Sequence, residues 1–493
     1  MKRFNLWIIL LALWNVVLFY NNSFGISVSL FIIPLLVYLY KLLKDNNKIK
    51  NKKGLLLVIP IILLSFTYFI FNNSFFKSMN FLVIIGLIDL MYIITIKNTF
   101  KFDVIINDIF ANVFKPFAYI GKFFSSLFPK KEKRLFKKSM SNQTRRVIKS
   151  ILVSLPIIII ILLLLSSADM IFGKIFSEFF SIFKININFD VFYELYERSL
   201  LFIFILILLG TSGLYIKEYG SEIQIKESND EKKKDLLTLK IIFISLNVIY
   251  VLFDFIQIKS LMLHSISMSG ITYAEYARQG FFQLMFVSII NLSLILFSKK
   301  FENKSNLKEF NTIKISSLIM IFLTIIIIIS SYLRMNLYEQ AYGYTVLRLL
   351  VYISLITEFI LMIPTIIYIF NNKYPIVKSY IIILISVYVI TNYMNIDYII
   401  ANKNISRYYN NYKIDLDYLM NYNSDNIPSL VDLYSNMNNS DEKNRLNDYL
   451  YDMKNDWLNT NIFEYNISKK KALKYLNKIK LETPDYMLDY YNE

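Results

Sequence analysis

Two short polar segments carry most of the side chains that could do chemistry, and each adjoins a long apolar run. Together they hold three arginines and two glutamates, so their local charge is positive. Guanidinium groups bind phosphate and carboxylate through paired hydrogen bonds, and tyrosine hydroxyls add further donors. This composition favours a site for an anionic ligand, such as a lipid headgroup or an envelope precursor. The candidate ligand-binding residues are Glu275, Arg278, Arg334, Tyr338, Glu339 and Arg348.

A structural explanation of the same arginines stays open. Arg278 and Arg348 lie near the starts of predicted helices, where the helix dipole disfavours a cation by about 0.3–1 kcal/mol. Each therefore needs an anionic partner. A carboxylate of the C-terminal tail, such as Asp397, Asp415 or Asp417, could take the place of a ligand.

Local spacing also assigns structural roles within the two segments. Thr272 followed by Glu275 is a capping-box pattern, in which each side chain binds a backbone N–H at a helix start. Gly343 suits the left-handed position after a helix end, and Thr345 can cap the next helix. Residues 334–348 are therefore predicted to form a hairpin between two helices.

Three acidic residues, Asp89, Asp254 and Glu358, lie inside apolar runs. An ionisable group in hydrocarbon costs at least about 2.5 kcal/mol, so such residues commonly mark an ion or proton pathway. A transporter that uses these intramembrane acids is the first alternative function. Buried hydrogen bonds to neighbouring amides or tyrosines would satisfy the same groups without transport.

An intramembrane transferase or hydrolase, with Glu275 or Glu339 as general base, is the second alternative. The chain has no cysteine, which excludes disulfides, thiolate metal sites and a cysteine nucleophile. It has a single histidine, His264, and no glycine-rich nucleotide-binding motif. We therefore expect no metal and no cofactor, and we interpret His264 as a ring at the membrane interface.

The elements that must position these residues are membrane-spanning helices. The 493 residues are 55% hydrophobic and 18% charged, whereas soluble proteins average about 25% charged. Because about 20 apolar residues cross the hydrocarbon core as a helix, the sequence predicts an all-α polytopic transmembrane helical bundle of about eleven spans. The predicted spans are residues 5–20, 25–43, 54–71, 81–96, 149–167, 199–216, 239–258, 280–298, 314–333, 345–370 and 376–393.

The formal net charge of +17 follows the predicted alternation of loops across the membrane. Loops on the N-terminal side carry 34 Lys and Arg residues, and the opposite short loops carry 8. Since cytoplasmic loops are enriched in Lys and Arg, we predict a bacterial cell-membrane protein with a cytoplasmic N-terminus and an extracytoplasmic C-terminus. Because the basic surplus is topological, we expect membrane lipids as partners and no nucleic acid.

Composition divides the chain into four regions. Residues 1–98 form an N-terminal four-span region, and residues 99–148 form a basic, aromatic-rich cytoplasmic linker suited to the lipid interface. Residues 149–393 form a seven-span region, and residues 394–493 form a polar extracytoplasmic tail. Apolar residues at helical spacing predict a small helical domain in the tail. These residues are Leu416, Leu419, Leu430, Leu433, Leu446, Tyr449, Leu450, Met453 and Trp457.

Three strings in this order resemble bacterial integral-membrane proteins of unknown function. They are residues 273–284, residues 334–348 with the core Leu337-Tyr-Glu-Gln-Ala-Tyr-Gly343, and residues 404–419 with Asn404-Ile-Ser-Arg-Tyr-Tyr409 and Asp415-Leu-Asp-Tyr-Leu419. The proteins resembled are those of domain of unknown function 4173 and the related domain of unknown function 4153, over roughly residues 145–435. The resemblance implies a multi-span membrane domain and carries no reaction, substrate or partner.

Overall fold

The computed structural model describes the chain as helices joined by turns, with no β-strand in the described part. Most of the predicted linker 99–148, the predicted span at 149–167 and the loop 258–280 lie outside the described residues. The described residues are 2–97, 189–219, 236–257, 281–298, 307–421, 424–437, 440–458 and 462–484, with the single positions 105, 119 and 123.

The helices follow the apolar runs of the sequence and end at polar, asparagine-rich turns. Short 3-10 turns cover Lys52–Leu57 and Ile462–Glu464. In chain order the α-helices are α1 (Lys2–Phe19), α2 (Ile26–Asp45), α3 (Val58–Ile70), α4 (Ser74–Lys97), α5 (Phe189–Tyr219), α6 (Leu236–Gln257), α7 (Phe281–Ser298), α8 (Leu307–Tyr342), α9 (Val346–Phe370), α10 (Ile376–Tyr393), α11 (Ile396–Tyr409), α12 (Leu416–Met420), α13 (Ile427–Asn436), α14 (Ser440–Leu458) and α15 (Ile467–Leu476).

Six described helical stretches are long and apolar enough to cross a membrane, as judged by length and composition. They match six of the predicted spans, so an all-helical membrane protein is confirmed, while the total of about eleven spans is not. Shorter apolar helices occupy Leu6–Phe19, Leu201–Tyr215 and Val287–Ser298, within three further predicted spans. The six stretches are Ile26–Asp45, Lys52–Ile70, Ser74–Lys97, Asn311–Tyr342, Val346–Phe370 and Ile376–Tyr393.

The chain forms two compact units. The first comprises residues 1–21, 33–49 and 110–223. In it α1 packs against α5, and Arg198 lies over the ring of Tyr20 with its guanidinium carbon 4.4 Å from the ring centroid.

The second unit comprises residues 22–32, 50–109 and 224–493. In it α6, α7 and α9 pack against α8 around an apolar cluster. A polar chain runs through this group: the Tyr250 hydroxyl donates to Asn291 at 2.8 Å, and Asn291 donates to the Thr324 hydroxyl at 2.9 Å. Buried polar pairs of this kind fix how membrane helices face one another.

Helices α11 to α15 pack around an apolar core within the second unit, to which Phe76 of α4 and Leu349 and Ile353 of α9 also contribute. The predicted apolar positions of the tail supply much of this core: Leu419, Leu430, Leu433, Leu446 and Leu450 are each fully buried. The helical period read from the sequence is thus confirmed at these positions. The tail's separate domain status and its side of the membrane stay predictions.

The turns of the second unit fall into two groups. Turns 22–25, 71–73 and 343–345 contact the tail: Ile26 N–H donates to the Tyr465 carbonyl at 3.2 Å, and Asn466 Nδ2 donates to the Phe71 carbonyl at 2.7 Å. Elsewhere, Lys50 and Asn51 N–H groups both donate to the Thr95 carbonyl at 3.0 Å. The alternation of predicted spans assigns these two groups of turns to opposite faces of the membrane.

This arrangement predicts opposite accessibility for Asn51 and Ser440. Because the natural chain has no cysteine, single Asn51→Cys and Ser440→Cys variants report without background. An impermeant thiol reagent added to intact cells is expected to label Ser440→Cys, and to label Asn51→Cys only after the cells are opened. Equal labelling of both variants in intact cells would contradict the predicted topology.

Candidate functional site

The predicted hairpin between α8 and α9 has the local geometry that its sequence indicates. Gly343 adopts a φ of +80°, and its N–H donates to the Glu339 carbonyl at 2.7 Å. The Thr345 side chain caps α9 by accepting the Arg348 N–H at 3.4 Å. Both local predictions, the left-handed glycine and the threonine cap, are therefore confirmed.

Two tail helices hold this hairpin turn in place. The Asn404 amide of α11 binds the Tyr344 backbone twice, accepting from its N–H at 2.8 Å and donating to its carbonyl at 2.9 Å. The Tyr418 hydroxyl of α12 accepts the Val346 N–H at 2.9 Å. Two of the three strings singled out in the sequence, 334–348 and 404–419, thus meet at one turn.

Arg348 reaches back across this turn to the end of α8. Its Nη1 donates to the carbonyl of Tyr342 at 3.0 Å and also to the carbonyl of Gly343. The guanidinium carbon lies 4.2 Å from the ring centroid of Tyr338. The positive end of the α9 dipole disfavours the charge of Arg348, and the negative end of the α8 dipole offsets this cost. The sequence does not predict this partner.

Arg407, which the sequence argument did not select, binds the same helix end. Its Nη1 donates to the Gln340 carbonyl at 2.8 Å, and its guanidinium carbon lies 4.5 Å from the ring centroid of Tyr412. No carboxylate of the described residues lies within 4 Å of either guanidinium, Arg348 or Arg407. We call residues 342–348 together with the Arg407 side chain the arginine turn.

The two remaining described members of the predicted cluster are buried on α8. Arg334 is 6% exposed and Glu339 is 7% exposed. Glu339 lies beside the Tyr344 hydroxyl, whose pKa is raised to about 12, first by burial and then by this carboxylate. Neither residue presents its charge at the surface. Glu275, Arg278 and His264 lie outside the described residues.

The intramembrane acids lie on three different helices. Asp254 on α6 is 3% exposed, and neither of its carboxylate oxygens has a hydrogen-bond partner among the described residues. Glu358 on α9 is 5% exposed and lies beside the Ser288 hydroxyl. Asp89 lies on α4, which packs against α3 and the 3-10 turn Lys52–Leu57.

A second polar site, which the sequence argument named only in part, lies where the ends of α3, α4, α10 and α11 meet the tail. A small cavity there is lined by Thr67, Asn73, Lys77, Asn80 and Asp397, among others. Asn80 is central: its Nδ2 donates to the Thr67 hydroxyl at 3.0 Å and to Asn392 Oδ1 at 2.6 Å. These bonds join α3, α4 and α10.

Two buried carboxyl groups face this cavity. Asp397 is 1% exposed and accepts one hydrogen bond, from Asn73 Nδ2 to its Oδ1 at 2.7 Å. Asp425 is 4% exposed and accepts the Asn72 N–H at 2.6 Å. The pKa of Asp397 is raised to about 7, first by burial and then by the charge of the neighbouring Asp425, while the bond from Asn73 opposes the shift. Burial also raises the pKa of Asp425.

Sequence signals for these residues were present but weak. The charge pattern of the sequence suggests Asp397 only as a partner for an arginine. Arg407 and Asn404 lay within a string that resembles the membrane family. Among the described residues, no three His, Asp or Glu side chains converge as a metal-binding group would.

Comparison with known proteins identifies one family. A family model described as a domain of unknown function (DUF4153) matches residues 58–433. The resemblance to domain of unknown function 4153 is therefore confirmed, and it begins well before residue 145. Neither the curated proteins nor the solved structures contain a match.

Proposed function

The chain belongs to the family of the domain of unknown function (DUF4153), and from this premise we propose that it binds an anionic ligand at the arginine turn. It is an integral membrane protein with several apolar helices of spanning length. The ligand class is a phosphate-bearing lipid headgroup or envelope precursor on the extracytoplasmic face of a bacterial cell membrane. The kinship to domain of unknown function 4173 is part of this proposal and rests on the three strings.

The observation that supports the proposal is a pair of guanidinium groups that have no carboxylate partner among the described residues. Arg348 and Arg407 each use Nη1 to bind carbonyls of the α8 end, and their Nε and Nη2 atoms donate to no group of the described residues. A phosphate is the natural acceptor for such paired donors. Both cations bind the α8 end, and with no acid of the described residues paired to them they leave a net positive site.

Aromatic rings make this site suitable for the edge of a membrane. Tyr338 and Tyr342 stack edge to face with ring centroids 5.1 Å apart, and Tyr338 also supports Arg348. Lys403 Nζ lies 6.0 Å from the Tyr344 ring centroid and adds a third cation near the turn. Cations beside tyrosines at the ends of apolar helices are typical of anionic headgroup recognition.

The proposal predicts a lipid-dependent stability that requires Arg348 and Arg407. In nanodiscs, phosphatidylglycerol is expected to raise the thermal midpoint of the wild-type protein above its value in phosphatidylcholine alone, since a ligand bound to the folded state stabilises it. Arg348→Ala and Arg407→Ala are expected to lose this increment. Without phosphatidylglycerol, the free energy of unfolding of each variant should be about 1.5–3 kcal/mol below that of wild type, because the removed arginine makes charge-assisted bonds to backbone carbonyls.

Arg445→Ala is the matched control, because Arg445 is an exposed tail arginine paired with Asp417. It should keep the full increment. Glycerol phosphate and inorganic phosphate, added to protein in phosphatidylcholine, separate a lipid headgroup from a soluble precursor. If both turn variants keep the phosphatidylglycerol increment and no phosphate compound stabilises the wild type, the arginines are structural and the proposal is wrong.

Transport is the second candidate function, and Asp254 is the observation that favours it. A carboxyl group whose oxygens bond no described residue, inside an apolar helix, is costly unless it serves an ion or a proton. Asp254→Asn would abolish transport under this hypothesis, whereas Arg348→Ala would not. Proton or cation flux into vesicles containing the purified protein measures the difference.

A further inference from the structure

The cavity between the helix ends and the tail has the features of an ion site. The volume open to the centre of a water molecule is about 20 Å³. This is enough space for one water-sized species. The protein atoms that line it come from α3, α4, α10, α11 and the segment around Asp425. An occupant would therefore lie between the ends of α3, α4 and α10 and the tail.

Two buried carboxylate oxygens at this cavity, Asp397 Oδ2 and Asp425 Oδ1, have no hydrogen-bond partner among the described residues. Asp397 Oδ1 accepts from Asn73, whereas Asp397 Oδ2 is fully buried and has no hydrogen-bond partner among the described residues. An ionised carboxylate in such a place needs a donor or a cation, because its desolvation is otherwise uncompensated. The missing partner must be small, because the cavity holds no more than one water-sized group.

Charge accounting points to a cation. Asp397 and Asp425 bring two carboxyl groups to the cavity, and Lys77 brings one ammonium group. Lys77 Nζ donates to the Phe24 carbonyl at 2.9 Å and to Asn72 Oδ1 at 2.6 Å, so its bonds go to neutral oxygens. Within the part of the chain that the structure describes, no basic group lies within 4 Å of either carboxylate.

The remaining charged neighbours do not change this balance. Lys469 acts on Lys77, and Lys471 acts on Asp425 from an exposed position, where solvent screens its charge. The Ser468 hydroxyl and the Asn72 N–H face Asp425 and stabilise its ionised form. With both acids ionised and Lys77 charged, the local charge is about −1, which one monovalent cation neutralises.

We propose that this cavity binds one sodium ion between Asp397 and Asp425. Asp397 Oδ2 supplies the charged ligand, and the amide and hydroxyl oxygens at the helix ends complete an all-oxygen shell. Calcium takes six to eight oxygen ligands and usually several carboxylates, and magnesium keeps bound waters. The single water-sized space and the two acids favour sodium over both.

Equilibrium binding of radioactive sodium to the full-length protein in detergent tests the proposal directly. At about pH 8 the wild type is expected to bind about one sodium ion per chain. Asp397→Asn keeps the size of the side chain and the bond from Asn73 but removes the charge, so binding should be lost. Asp432→Asn, an exposed tail acid on α13, is the matched control and should bind as wild type does.

Thermal stability gives a second readout that does not depend on a variant. Sodium should also raise the thermal midpoint by about 2–4 °C at about pH 8. Potassium in place of sodium should have a smaller effect.

Three outcomes would overturn the sodium site. One is wild-type protein that binds no sodium at about pH 8, and another is Asp397→Asn protein that binds sodium as tightly as wild type. The third is stabilisation by calcium and not by sodium, which would assign a divalent site. None of these results bears on the arginine turn, because the phosphatidylglycerol experiment uses different residues and a different ligand.

Discussion

Gly343→Ala is expected to destabilise the protein by about 2–4 kcal/mol and to remove the lipid-dependent increment. At a φ of +80° an alanine is strained by about 1–2 kcal/mol. Its Cβ would lie 2.7 Å from Asn404 Oδ1, so the Asn404 amide must move. Both of its hydrogen bonds to Tyr344 then weaken, at about 0.5–1.5 kcal/mol each.

Gly86→Ala provides the matched control for this prediction. Gly86 lies inside α4, and a Cβ there meets nothing within 4 Å. Alanine in a helix interior is about 0.5–1 kcal/mol better than glycine, so this variant should be as stable as wild type or more stable. Denaturation of both variants in lipid-free detergent measures the two effects.

Asn404→Ala separates the two causes of the Gly343 effect. In an Asn404→Ala background the steric clash is gone, so Gly343→Ala should cost only the backbone strain. If Gly343→Ala lowers the free energy of unfolding equally in both backgrounds, the two hydrogen bonds from Asn404 to Tyr344 do not hold the turn. A double-mutant cycle yields this interaction energy.

Much of the fold follows from local rules that a sequence displays. The apolar period of the tail identifies Leu419, Leu430 and Leu450 as core, because helices bury one face whatever their partners are. Gly343 and Thr345 are equally readable, since only their own backbone determines the left-handed turn and the cap. Residue type and neighbours in the chain suffice for predictions of this kind.

The sites depend instead on contacts between distant residues. The Asn73–Asp397 bond joins positions 324 residues apart, and the Asn466–Phe71 bond joins positions 395 apart. Asparagine is frequent along the whole chain, so no single one stands out before folding. Arg348 illustrates the limit: the sequence shows that its charge needs a partner, but not that backbone carbonyls provide it.

Acidic pH is expected to stabilise the protein through Asp397. The pKa of this carboxyl is about 7 in the folded protein against 3.8 in the unfolded chain. The folded state therefore holds a proton that the unfolded chain has released, and the free energy of unfolding falls as the pH rises through this window. Asp425 takes part, because its charge raises the pKa of Asp397 and the two acids titrate together.

In sodium-free buffer, the free energy of unfolding of the wild type should fall by roughly 3 kcal/mol between about pH 5 and about pH 8. Asp397→Asn carries a neutral amide where the folded wild type holds a proton, so its stability should change less over this range and exceed that of wild type at about pH 8. Because other titrating groups are common to both proteins, the difference between the two pH profiles isolates Asp397, and Asp432→Asn should reproduce the wild-type profile. Parallel profiles for wild type and Asp397→Asn would show that Asp397 stays ionised in the folded protein, with a partner that balances its buried charge.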